Sequence, residues 1–143
     1  MTRIATVVSQ AIRESGTALL WPAVARAALT PALALDYLGE LSTDITGGLV
    51  LDRGGRVAAA WSGDEDRGER MREPLLELLR RADAAVRGRS KASRVEVATA
   101  RGSVFAVRND RWTLAVVTGR FVLSSLMFFD LLHVLDDLDP RRG

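Results

Sequence analysis

The stretch DITGGLVLDRGGRVAAAWSG, Asp44 to Gly63, decides how this chain is read. Two short apolar runs, ITGGLVLD and RVAAAWS, flank the pair Gly54-Gly55. Glycine accepts positive φ without a steric penalty, so a Gly-Gly pair between β-rich runs predicts a hairpin. The other elements are expected to extend that hairpin into a sheet or to cover it.

Downstream, the segment GDEDRGER at 63–70 reads as a charged turn or loop. A helix gathers at Pro74 over PLLELLRRADAAVRG, and Met71, Leu75, Leu78, Leu79, Ala82 and Val86 form its apolar stripe. Glu77–Arg81 and Asp83–Arg87 are spaced as favourable i,i+4 pairs, Gly88 is the expected stop, and RSKAS is a linker. Three strands follow. RVEVATA at 94–100 alternates, SVFAVR at 103–108 pairs back through Arg101-Gly102, and WTLAVVT at 112–118 follows the Asn109-Asp110 turn. The last is apolar on both faces, which belongs in the middle of a sheet covered above and below. VLSSLMFFDLLHVLDDL at 122–138 is a helix apolar nearly all round, which fits burial.

Upstream, Thr30-Pro31 is a hydroxyl cap followed by a first-turn proline. It opens a helix over about 31–42 with Leu33, Tyr37, Leu38 and Leu41 on one face. Residues 2–15 place Ile4, Val7, Val8, Ala11 and Ile12 on one helical face, and Gly16 offers a stop. The apolar piece 17–29 contains Pro22 and Arg26 and is too short to span a bilayer. Arg3 before an apolar run invites a signal-peptide reading, but Arg13 and Glu14 directly precede that run, and packing helices is the better reading.

The order is a helical extension followed by α-β-β-α-β-β-β-α. That is an α+β fold: a five-stranded, mainly antiparallel sheet with helices on both faces, the only open question being what pairing the long crossover helix creates. The expected division is an N-terminal extension at 1–30, one domain at 31–138 and a tail at 139–143. At 143 residues the chain suffices for one core, and 48% apolar with 27% charged residues suits a folded protein. It has no cysteine, which excludes disulfides, thiolate chemistry and cysteine-ligated zinc. Net charge is +2, Lys91 is the single lysine, and the arginines are balanced locally by acids, so no nucleic-acid stripe emerges.

No residue set announces a reaction. Arg70, Arg72, Arg80 and Arg81 could stabilise charge in phosphoryl transfer. Helical arginines among glutamates read more simply as ion pairs or interface contacts. His133, the only histidine, lies near Asp130, Asp136 and Asp137, but two ligands make an incomplete metal site and capping of the helix end is preferred. Gly47-Gly48 and Gly54-Gly55 lack the lysine and hydroxyl of a phosphate loop. Trp21, Trp61 and Trp112 read as core.

The segments GGLVLDRGGRVAAAW and VEVATARGSVFAVRNDRWTLAVVT, with the helix ending at Gly88 between them, resemble a Roadblock / dynein light chain domain over roughly 31–138. Arg120-Phe121 and the apolar run Leu123–Leu135 depart from the small-residue turn and mixed-polarity helix of bacterial members. The resemblance implies a non-enzymatic, cofactor-free, cytoplasmic homodimer. Its twinned strand would be Arg94, Val95, Glu96, Val97, Ala98, Thr99 and Ala100, and it would regulate a small Ras-like GTPase through Arg72, Glu77, Arg80 and Arg81. Two other readings stand beside it. One is a scaffold that docks another Roadblock-like or helical protein regardless of nucleotide. The other is a small-molecule sensor of the PAS or GAF kind.

Overall fold

A computed structural model describes residues 29–86 and 91–138. The expectations for residues 1–28, for Gly88 and for the 139–143 tail lie outside the described residues. Helix α1 runs Pro31–Leu41 and is capped as expected, with the Thr30 hydroxyl accepting the Leu33 amide at 3.2 Å. Strands β1 (Ile45–Leu51) and β2 (Val57–Ala60) form the hairpin. Its turn needs Gly55, which has φ +80°. The second apolar run is a strand only as far as Ala60, and Trp61–Gly63 is a single 3-10 turn.

Helix α2 covers Glu65–Ala85, so the charged segment expected to be a loop is its first turns. The Asp64 carboxylate accepts the Arg67 amide, and Glu65 and Asp66 suit the positive end of the helix dipole. Pro74 therefore lies inside a helix rather than near its start. An interior proline costs about 3 kcal/mol; Leu75 and Leu79, both buried directly after it, hold the helix to the sheet. Gly68 brings the helix close, since a Cβ there would stand 2.8 Å from that of Ala60.

Strand β3 is Arg94–Ala98, β4 is Ser103–Arg108, β5 is Thr113–Thr118, and helix α3 is Ser124–Asp137. The sheet order is β2-β1-β5-β4-β3, and every neighbouring pair is antiparallel. The crossover through α2 delivers β3 to the far edge, so it creates no parallel pair. The two-sided apolar strand β5 is central, as its pattern predicts.

The two faces carry separate apolar clusters. On one, α1 and α3 pack over Ile45, Val50, Phe105, Val107, Leu114 and Val116. Phe105 meets Phe128 of α3 edge-on at 5.3 Å between centroids. On the other, Leu75 and Leu79 of α2 cover Leu49, Leu51, Ala106 and Ala115. Trp112 is buried in the first cluster, as the core reading of that tryptophan expects.

Candidate interaction surface

Helix α2 sits over β1 and β2, the hairpin end of the sheet. The same face over β4 and β5 is left partly open. There a groove of about 440 Å³ runs between Met71, Leu75 and Leu78 of α2 and Val104, Ala115 and Val117 of the sheet, with Arg67 and Arg70 at its lip. Beyond it, β3 is the edge strand. Val95 and Val97 are half-buried on the α2 side, while Arg94, Glu96 and Ala98 are exposed. Among the described residues β3 pairs only with β4, so its outer amides and carbonyls face no strand.

Of the residues expected on the twinned strand, Arg94 to Ala98 are in β3. Thr99 and Ala100 are not, because the chain turns early: the Thr99 amide and hydroxyl both donate to the Gly102 carbonyl, at 2.7 and 2.9 Å. Local side-chain bonding of this kind ends a strand that alternation alone would continue.

Three of the four expected partner-binding residues stand together on the outer face of α2. Glu77 is clasped by Arg80 at 2.8 Å and Arg81 at 3.1 Å. Hydrogen bonds from both guanidinium groups hold its carboxyl below the usual range. Arg72 is apart from them. It donates Nε to the Gly55 carbonyl and pairs with Glu73, tying α2 to the hairpin turn. Arg70 is exposed at the groove.

Arg87, the neighbour that spacing suggests for Asp83, lies outside the described residues. The Asp83 carboxylate takes Arg108 of β4 and the Ala92 amide, while Arg108 also donates to the Ala92 carbonyl. This ring fixes the end of α2 and the chain entering β3, and thereby positions the edge strand. Sequence spacing could not find it, because its partners are 25 residues apart.

On the opposite layer His133 stacks on Phe129 at 6.1 Å. Asp137 is raised by burial and partly offset by His133. Asp130 is 2% exposed, and its Oδ2 has no hydrogen-bond partner among the described residues. Burial pushes its carboxyl up to about 6. Tyr37 is raised by burial first, then by Asp137, Asp130 and Glu40, so these acids converge between α1 and α3. No trio of potential metal ligands occurs among the described residues, and no described helix is long and apolar enough to cross a membrane.

Two helices on one face of an antiparallel sheet and one on the other define a three-layer α+β fold. The fold is that of Roadblock/LC7 domains. A Roadblock/LC7 domain from Streptomyces avermitilis matches with TM-score 0.64 at 18% identity over 72% of this chain and 89% of that one. Myxococcus xanthus MglB matches with 0.57 at 12%, over 68% and 85%. The gliding protein MglB of Thermus thermophilus matches with 0.53 at 14%, over 73% and 84%. No protein-family model matches the sequence, and no curated protein is significantly similar to it.

Proposed function

We propose that this protein is a non-catalytic homodimeric module that binds a small Ras-like GTPase in the cytoplasm and modulates it. The observation that carries the reading is the continuity of three surfaces: the open edge of β3, the apolar groove beside α2, and the Glu77–Arg80–Arg81 cluster on the outer face of that helix. A second copy added along β3 satisfies its free backbone groups and carries apolar area onto Val95, Val97 and the groove. A two-fold contact of this kind is the commonest closure for identical chains. The arginine cluster then lies outside the dimer seam, where arginine is favoured in partner contacts. The Roadblock/LC7 fold supports the reading, as does a solved MglB with a tetrameric arrangement, TM-score 0.54 at 13% identity.

The test is a pull-down from host lysate with tagged protein, divided between GDP and a non-hydrolysable GTP analogue. The expected result is a Ras-like GTPase enriched in one lane and lost from an Arg80→Glu/Arg81→Glu variant. Recovery of one non-GTPase protein equally in both lanes selects the scaffold instead.

A further inference from the structure

A second cavity lies at the end of the sheet where the β1–β2 and β4–β5 turns meet the C-terminal half of α2. It measures about 420 Å³ and shares no lining residue with the apolar groove. Arg53, Arg80, Lys91, Arg108 and Arg111 line it against Asp52, Asp83 and Asp110, a surplus of two positive charges. A concavity lined by an excess of one sign focuses the field and concentrates ions of the other.

Two of the acids are already engaged within the fold. The Asp52 carboxylate accepts the Gly54 and Arg56 amides at 2.9 and 3.0 Å, and that of Asp83 takes Arg108 and the Ala92 amide. The Lys91 ammonium and the Arg111 guanidinium, by contrast, form no hydrogen bond or ion pair among the described residues. The walls are fixed beforehand. Arg53 Nε donates to the Asp110 carbonyl at 3.2 Å, which joins the two turns, while Arg72 and Arg108 tie α2 to the hairpin turn and to β4. A cavity held in shape this way loses little freedom when a ligand enters. Leu76, Leu79 and Trp112 give it an apolar floor.

From this arrangement we infer that the cavity binds a small phosphate monoester, with Lys91 and Arg111 meeting the phosphate and Leu76 and Leu79 its organic portion. A phosphate monoester carries a charge of about −1.5 to −2 at neutral pH and three acceptor oxygens, which matches the surplus of cations and their N–H donors. The volume falls within the roughly 300–1,000 Å³ of small-molecule sites. The assignment does not rest on the GTPase reading, and Lys91 and Arg111 lie outside the surfaces that reading uses.

The test is calorimetric titration of the full-length chain at low ionic strength, with phenyl phosphate and inorganic phosphate as the two probes. One phenyl phosphate per chain is expected, bound about ten-fold more tightly than inorganic phosphate. Lys91→Gln/Arg111→Gln weakens phenyl phosphate binding about ten-fold or more. Neither side chain has a partner to lose, so the fold is expected to survive. Arg101→Gln/Arg120→Gln removes the same charge at the opposite end of the sheet and is expected to change binding less than about two-fold. Equal weakening by the two double variants reduces the effect to net charge and overturns the inference. Equal affinity for the two probes overturns the place given to the organic portion, and the lack of saturable phenyl phosphate binding overturns the whole.

Discussion

The two faces of the sheet are built to different standards. The α1–α3 face is sealed by two helices over Phe105, Val107, Leu114 and Val116, all at or near zero exposure. The α2 face is covered by one helix at the hairpin end and thins out toward β3, leaving a groove and half-buried valines. A domain of this size needs only one well-packed face to hold its central strands. The other is then available for surfaces that close on a partner. With the proposed function, the difference would place stability on one side and recognition on the other, and substitutions can test that division.

The largest effect belongs to the sealed face. Phe105→Ala removes a fully buried ring and its contact with Phe128. It is expected to destabilise by about 4 kcal/mol in urea titration. Next comes the buried acid. Burial holds the Asp130 carboxyl at about 6 against an ordinary 3.8. A carboxyl raised on folding binds its proton more tightly in the native state. The contribution of Asp130 is therefore full below pH 4 and is lost as pH rises through 6, by roughly 3 kcal/mol at most. An Asp130→Asn chain keeps a flatter profile across the same window. Thermal melts at pH 4 and pH 7 separate the two.

Smaller again is Arg108→Ala, which strands Asp83 and frees the chain entering β3. Both partners retain some solvent contact, so about 2 kcal/mol is expected by denaturant melt, less than for a fully buried pair. Val97→Arg, on the open face, should change stability by under about 1 kcal/mol and yet convert the dimer to monomer in sedimentation velocity. If it lowers stability as much as Phe105→Ala, the division between faces is wrong. If the oligomeric state does not respond, so is the edge-pairing model.

Much of the fold was readable because its strongest signals are local. Thr30-Pro31 opens a helix, Gly54-Gly55 turns a hairpin, and the two-sided apolar run of β5 predicts the central strand. The first turns of α2 were obscured by their own charge and by Pro74, although Asp64 before Glu65-Asp66 is a sound helix-start signal. The end of β3 was misplaced because alternation through Thr99 does not register that its amide and hydroxyl turn back to Gly102. The site was less legible than the fold. Arg72 belongs to the same basic run as Arg80 and Arg81, and only tertiary placement directs it to the Gly55 carbonyl. Asp83 and Asp130 are set by neighbours remote in sequence, which periodicity along one helix cannot supply.

The central ladder joins β1 to β5, and contacts such as Thr46 to Val117 span 71 positions. The hairpin strand that leaves the ribosome first must therefore wait for the last strand before its second edge is paired. At about 5–20 residues per second of synthesis, that delay lasts several seconds. During it, β1 presents apolar side chains and free amides with only the short β2 beside it. The nascent chain is thus a client for holding factors until β5 arrives, and yield at high expression should depend on temperature more than the finished fold would suggest.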